Sequence, residues 1–151
     1  MKRSILLPFT VLLAACEQSS SGGQDAVSET DALSQTTVTV AYKGADQVVP
    51  LSKFPVVTIG GYEFVRLSDV VLAAFSSLDL SKVAADFEAS DGFRPSSKEN
   101  CAGLLPVPGE KLKQGYISLS TRNLAWDDAL QYPGCMRVRD TARIAVVDHQ
   151  P

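Results

Sequence analysis

Hydrophobic and polar residues alternate along the first part of the chain in a pattern typical of β-strands. Residues 37–42 alternate β-branched side chains, and a second short strand at 47–50 follows after a turn. Residues 55–59 and 62–66 repeat this arrangement around a Gly-Gly pair, which favours a tight connection. The pattern therefore predicts two strand-turn-strand units, the second of them a β-hairpin.

After this hairpin the period of the apolar residues changes from two to about 3.6, which is typical of a helix. Apolar side chains recur at helical spacing from Leu67 to Phe75. Ser68 is a candidate N-cap, and Asp69 lies in the first turn, where the helix dipole favours a carboxylate. We therefore expect one main helix over about 67–76, with its apolar face packed on a sheet.

The second half of the chain contains three further segments with the composition of strands. They cover residues 82–89, 116–120 and 142–148, and the polar, aromatic segment 121–141 lies between the last two. We expect a loop over residues 96–109, in which Pro106 and Pro108 exclude a helix at 104–109. Together with the N-terminal units, these segments predict an α+β domain with a small, mostly antiparallel or mixed sheet and one main helix.

The strand at 82–89 ends in a turn with a distinctive composition. Gly92 can adopt a positive φ, and Asp91 can accept a hydrogen bond from the backbone two residues later. Pro95 disfavours a helix that passes through Arg94. We therefore expect Phe93 and Arg94 at the rim of the sheet.

The N-terminus has the features of an export signal. Lys2 and Arg3 precede an apolar stretch that is shorter than a membrane span, and small residues come directly before Cys16. Residues 1–15 thus resemble a bacterial lipoprotein signal peptide, and the alternative is a signal peptide in which Cys16 is coincidental. The resemblance implies cleavage before Cys16, lipid attachment at that residue and a location in the cell envelope, facing the periplasm, with Glu17 favouring the outer membrane.

Three regions follow from this pattern. Residues 1–15 are the predicted signal peptide, and residues 16–35 are the lipidated cysteine with a tether that has almost no large apolar residues. Residues 36–151 have enough material for a single α+β domain.

Charge excludes one large class of function. The formal net charge is -3 and no run of lysine or arginine occurs. Since basic patches supply most nucleic-acid affinity, we expect no nucleic-acid partner, and the expected partners are the membrane and either a small molecule or an envelope protein.

Two cysteines remain once Cys16 is assigned to the lipid. Cys101 and Cys135 form an even pair in a chain predicted to enter an oxidising compartment, and we expect a disulfide between them that pins the C-terminal half. The alternative is a reactive or zinc-bound pair of thiols. His149 is the sole histidine available to complete such a site, and we expect no metal.

Two stretches carry a family resemblance. Residues 61–71 (GYEFVRLSDVV) and 87–94 (FEASDGFR) resemble the helix-and-strand core of the sulfite oxidase-type molybdopterin-binding domain. The enzymes of that family have a molybdenum-ligating cysteine upstream of the helix, whereas here no cysteine lies between Cys16 and Cys101. The resemblance implies a reduced, metal-free form of the fold that binds a pterin-like or other planar molecule, or a protein, and a molybdopterin-dependent oxidoreductase is the less favoured alternative.

The sequence contains no recognisable set of catalytic groups. Its single histidine lies two residues from the end, and no Gly-x-Ser-x-Gly turn occurs, so a hydrolase is not indicated and we expect a protein without catalysis.

A binding protein needs only aromatic rings and side chains with several hydrogen-bond donors near each other, and the sequence contains both. Aromatic rings give flat surfaces, and guanidinium groups can hold a carboxylate or phosphate at two points. We expect a site for a planar anionic ligand between the 91–94 turn and the 122–137 loop; its candidate residues are Asp91, Phe93, Arg94, Arg122, Asn123, Trp126 and Arg137.

Two other interpretations remain open. Trp126 can be an ordinary core residue and the arginines can be solvated. The chain can also be an envelope scaffold or assembly lipoprotein that binds a partner protein, for which the tether and the lack of catalytic groups are the support.

Overall fold

The computed structural model describes residues 36–149. The predicted signal peptide, Cys16 and the tether lie outside this range. Nine strands and two α-helices lie within it. In chain order they are β1 (Thr37–Tyr42), β2 (Ala45–Pro50), β3 (Val57–Ile59), β4 (Tyr62–Arg66), α1 (Leu67–Ala74), β5 (Val83–Ala89), α2 (Glu99–Ala102), β6 (Val107–Pro108), β7 (Gly115–Ser118), β8 (Leu124–Trp126) and β9 (Thr141–Asp148).

The strands form two sheets. The first has the order β2-β1-β9-β5-β6, in which β1 and β9 are parallel and the other pairs are antiparallel. The second has the order β3-β4-β7-β8 and is antiparallel throughout. The predicted α+β class with one main helix is confirmed, and the mixed sheet is accompanied by a second, antiparallel sheet.

Helix α1 follows β4 without a loop and packs its apolar side into the core. Leu67, Val70 and Val71 are fully buried, as the helical spacing predicts. The prediction that Ser68 caps the helix is wrong: Arg66 occupies the cap position and makes no side-chain cap bond. Ser68 is itself buried in the first turn, because the helix begins two residues earlier than a cap at Ser68 would place it, and its hydroxyl donates to the carboxylate of Asp69.

The two sheets and α1 contribute to one hydrophobic core. The rings of Phe87 on β5 and Trp126 on β8 meet edge to face, with centroids 5.7 Å apart, and so join the first sheet to the second. Beside them Gly115 lets β7 approach Trp126 and Leu67 closely, since a Cβ atom there would lie 2.6 Å from the indole ring. The core therefore holds Trp126, near the start of the 121–141 segment, against β5.

The predicted disulfide between Cys101 and Cys135 is confirmed. It joins α2 to a short 3-10 turn at Gly134–Met136, with the two Cα atoms 6.4 Å apart. Cys101 is fully buried, whereas Cys135 is partly exposed. The disulfide thus ties the long loop after β5 to the segment that leads into β9.

Within the described range, no helix is long and apolar enough to cross a membrane.

Candidate functional site

A cleft of about 230 Å³ lies between the turn after β5 and the segment that follows the disulfide. We call it the arginine cleft. Its walls combine an aromatic ring, two guanidinium groups and one carboxylate. They are formed by Ala89, Asp91, Phe93, Gly134, Cys135, Arg137 and Arg139.

The turn that forms one wall is held by its own backbone. The carboxylate of Asp91 accepts a hydrogen bond from the Phe93 N–H at 2.9 Å, and Gly92 has a φ of 82°. The Ala89 N–H donates to the Phe93 carbonyl at 2.9 Å, which closes the turn against the end of β5. Phe93 is consequently half-buried and lines the cleft.

The opposite wall is a bent segment, from the Gly134–Met136 3-10 turn to Asp140, in which buried and exposed residues alternate. Met136 and Val138 are fully buried, and Arg137 and Arg139 are exposed. The Leu124 N–H donates to the Val138 carbonyl at 2.8 Å and so attaches the segment to β8. Both Arg137 and Arg139 line the cleft, and the buried Val138 between them anchors the segment in the core.

Two arginines and one aspartate line the arginine cleft, and the arginines are not in ion pairs. Among residues 36–149, neither Arg137 nor Arg139 forms an ion pair, and the carboxylate of Asp91 accepts the hydrogen bond from the Phe93 N–H. Two unpaired guanidinium groups in a concave surface create a local positive potential on a chain whose net charge is -3. The cleft can therefore attract and orient an anion.

Arg94, the next candidate, has a different environment. Its guanidinium forms a salt bridge with Glu88 on β5, with Nε 3.0 Å from the carboxylate oxygen. The pair lies on the exposed surface beside the turn. The positive charge of Arg94 is thus paired with the carboxylate of Glu88, and Arg94 does not line the arginine cleft.

Arg122 and Asn123 form a structural network instead of a ligand site. Arg122 forms an ion pair with Asp140, with Nε at 2.8 Å, and donates to the Thr37 carbonyl at 3.3 Å. The Asn123 side-chain oxygen accepts from the Asp140 N–H at 2.9 Å. The Ser90 hydroxyl and then the Arg122 guanidinium hold the pKa of Asp140 below its ordinary value. The network joins the first residue of β1 and the residue after β5 to the residue before β9.

Trp126 is mainly a core residue. Its indole N–H donates to the Met136 carbonyl at 2.7 Å, and its ring packs edge to face on both Phe87 and Tyr132. It also lies in the wall of a second cleft. The structure therefore brings Asp91, Phe93 and Arg137 together in the arginine cleft and places Trp126 behind it.

The second cleft measures about 220 Å³ and is more polar than the first. We call it the aspartate cleft. Burial raises the pKa of the Tyr132 hydroxyl, so the ring remains neutral at physiological pH. The cleft is lined by Trp126, Asp127, Asp128, Gln131, Tyr132 and Arg137.

Sequence reasoning did not select Arg139 or Tyr132 as site residues. A signal for Arg139 is present in Met136-Arg137-Val138-Arg139, where polar and apolar residues alternate and both arginines belong to one side. Tyr132 has no such pattern, because its position depends on how the chain turns after β8.

The described residues contain no group of three or more His, Cys, Asp or Glu side chains placed to hold a metal ion. The two cysteines of this range are bound to each other, so neither offers the thiolate that a molybdenum ligand of the sulfite oxidase type requires.

Models of known protein families, curated protein sequences and solved structures were all compared with this chain, and none matches it. The arginine cleft therefore carries the functional inference through its own geometry.

Proposed function

We propose that this chain is an exported, lipid-anchored binding protein, without catalysis, whose ligand is a small planar anion bound in the arginine cleft. One observation supports the ligand class above the others. Arg137 and Arg139 present two unpaired guanidinium groups opposite the ring of Phe93. A flat anion can stack on the ring while its carboxylate or phosphate accepts hydrogen bonds from both forks.

The size of the cleft limits the ligand. Pockets for drug-sized molecules usually measure about 300 to 1,000 Å³, and the arginine cleft, at about 230 Å³, is smaller. It suits one or two fused rings, such as a pterin, or one end of a larger molecule. A pterin-type ligand also agrees with the resemblance to a reduced molybdopterin-binding domain, and both remain proposals.

The cellular part of the proposal rests on the first sixteen residues. A basic start, a short apolar stretch and small residues before Cys16 support lipid attachment there. The disulfide is compatible with the same compartment, because such bonds persist in oxidising spaces.

Equilibrium dialysis of the purified chain against pterin-6-carboxylate tests the ligand class. We expect saturable binding, about tenfold or more weaker in Arg139→Gln because one charge-assisted contact is lost. Phe93→Ala should weaken binding by removing the stacking surface. Arg66→Gln is the matched control, since Arg66 is exposed, forms no ion pair among the described residues and lines neither cleft.

Two outcomes would contradict this proposal. One is the absence of saturable binding of pterin-6-carboxylate, benzoate and inorganic phosphate alike. The other is equal affinity of the wild type, Arg139→Gln and Arg66→Gln for a ligand that does bind, which would place its site elsewhere.

An alternative function, an envelope scaffold that binds a partner protein, is favoured by a different observation. The side chains of Val56, Ile59 and Tyr62 at the β3–β4 hairpin are 50%, 39% and 70% exposed. β3 is also an edge strand of the second sheet, and edges with exposed apolar residues are prone to pair with other chains. Chemical cross-linking in intact cells distinguishes the two functions: a stoichiometric protein adduct that Tyr62→Ser abolishes and Arg139→Gln leaves unchanged would favour the scaffold.

The oxidoreductase alternative has no such support, because both cysteines of residues 36–149 are in the disulfide and no thiolate is available for molybdenum.

A further inference from the structure

The arginine cleft and the aspartate cleft are neighbours. Arg137 lines both, so its side chain forms the boundary between them. Pockets for small molecules usually have a volume of about 300 to 1,000 Å³. Either cleft alone is smaller than this, but the combined volume of the two falls within the range. A ligand that extends past Arg137 can therefore use a site of ordinary size.

The two clefts differ in charge. In the first, Arg137 and Arg139 are unpaired cations; in the second, Asp127 and Asp128 are carboxylates that form no ion pair among the described residues. Burial and then the neighbouring carboxylate of Asp127 raise the pKa of the Tyr116 hydroxyl. Asp127 therefore already interacts with Tyr116, and we take Asp128 as the carboxylate that binds the ligand. The arginine cleft is therefore lined mainly by cations and the aspartate cleft mainly by carboxylates, and Arg137 lies between them.

The aspartate cleft also contains aromatic surface that suits a cation. The rings of Trp126 and Tyr132 meet edge to face with centroids 5.1 Å apart, and both line the cleft. An ammonium group near a ring face gains from the ring quadrupole as well as from a carboxylate. The same groups offer nothing comparable to an anion.

We propose that the two clefts form one site for a zwitterionic ligand, a short peptide with free termini. Its carboxylate binds Arg137 and Arg139, and its ammonium group binds Asp128 beside the ring of Tyr132. This inference rests on the proposed function, because the carboxylate of the peptide uses the same pair of guanidinium groups in the arginine cleft.

The fluorescence of Trp126 gives a direct measurement. It is the single tryptophan of the chain and it lines the aspartate cleft, so occupancy of that cleft changes its emission, whereas a ligand confined to the arginine cleft does not touch it. The full chain, purified in detergent, is titrated with glycyl-phenylalanine, with its N-acetyl derivative and with its C-terminal amide. We expect the free dipeptide to change the emission and to bind about tenfold or more tightly than either capped form.

Two substitutions assign each end of the ligand. Asp128→Asn should bind the free and N-acetylated dipeptides equally while still discriminating against the amide. Arg139→Gln should bind the free dipeptide and the C-terminal amide equally while still discriminating against the N-acetylated form. Glu63→Gln and Arg66→Gln are the matched controls; both side chains are exposed and outside the two clefts, and both variants should behave as the wild type.

The possible results separate this inference from the proposed function. If the N-acetylated dipeptide binds as tightly as the free one, or if pterin-6-carboxylate binds and the dipeptide does not, the zwitterion site is overturned and the anion site stands. If neither the dipeptide nor pterin-6-carboxylate, benzoate or phosphate binds, both are overturned.

Discussion

Gly115 and Asp140 show how single residues determine the geometry around the clefts. A side chain at Gly115 would enter the space of Trp126, whose ring forms part of the aspartate cleft. The carboxylate of Asp140 holds Arg122 and Ser90 and directly follows Arg139 in the chain. Neither residue binds the proposed ligand, yet each positions residues that do.

The first prediction concerns the close approach at Gly115. A Cβ atom there would lie 2.6 Å from Trp126 Cζ3 and 2.7 Å from Leu67 Cδ1, so Gly115→Ala forces one of these side chains to move. We expect a loss of about 1 to 3 kcal/mol in the free energy of unfolding, measured by urea denaturation. Gly103→Ala is the control, since nothing lies within 4 Å of its added Cβ; equal stability of both variants would contradict the packing described.

The second prediction concerns acid stability. The Ser90 hydroxyl and Arg122 lower the pKa of Asp140 from its ordinary value of 3.8, so the unfolded chain binds this proton more readily than the folded chain does. The resulting stabilisation is present above pH 3.8 and is lost as the pH falls through the lower pKa of the folded state. Thermal melts between pH 7 and pH 2 should show a smaller acid-dependent loss for Asp140→Asn than for the wild type. A loss as large as that of the wild type, or of the control Glu63→Gln, would exclude this role.

At the scale of elements, the disulfide determines the position of the arginine cleft. It ties α2 to the Gly134–Met136 turn, and Cys135 itself lines the cleft. The same segment continues through Arg137 and Arg139 to β9. Since Arg137 and Arg139 come from a segment between a crosslink and a strand, both of its ends are held.

The third prediction follows from this crosslink. Its two cysteines are 34 positions apart, and the chain-entropy relation gives a stabilisation of about 4 kcal/mol for a loop of this length. Cys101→Ser together with Cys135→Ser should lower the urea midpoint strongly, and dithiothreitol should do the same to the wild type. The doubly substituted chain is its own control, because the reductant should leave it unchanged; a wild type that keeps its midpoint under reduction would refute the prediction.

At the scale of the whole molecule, the described domain begins at Thr36, and the proposed lipid site at Cys16 precedes it by twenty residues. The Arg122 contact with the Thr37 carbonyl places the start of the domain at the Asp140 network, next to Arg139. Arg139, which lines the arginine cleft, is therefore next in the chain to a residue that is tied to the start of the domain.

The fourth prediction concerns the anchor. Cys16→Ser removes the sulfur that a lipid would modify, so the chain should move from the membrane fraction to the soluble fraction and lose incorporation of labelled palmitate. Ser19→Ala, a substitution close to the same position, should leave both properties unchanged. A wild-type chain without label would overturn the lipid-anchored part of the proposed function and leave the binding part intact.

Local patterns account for much of the fold. Alternation and turn residues predicted β1, β4 and β5 to within one residue, because each strand lies between turns whose chemistry is local. Helix α1 was predicted for the same reason. The second sheet was not predicted, since strand pairing joins distant segments and periodicity contains no information on which strands are neighbours.

The candidate site was predicted less completely. Of the predicted residues, Asp91, Phe93 and Arg137 line the arginine cleft, whereas Arg94 and Arg122 form ion pairs and Asn123 bonds the backbone of Asp140. A guanidinium group is available to a ligand only if no carboxylate lies beside it. For Arg122 that carboxylate is 18 residues away along the chain, so its presence depends on the fold.

The sequence by itself determined β1, β4, β5 and β9, the main helix, the Asp-Gly turn and the even pair of cysteines, because these follow from side-chain chemistry over a few residues; β6 and β8 lie in segments that were not predicted to be strands. Only the tertiary structure decided which arginines are free. It did so by bringing Asp140 to Arg122 while leaving Arg137 and Arg139 without a partner among the described residues. Charge neutralisation depends on distances through space, and the packing of the two sheets sets those distances.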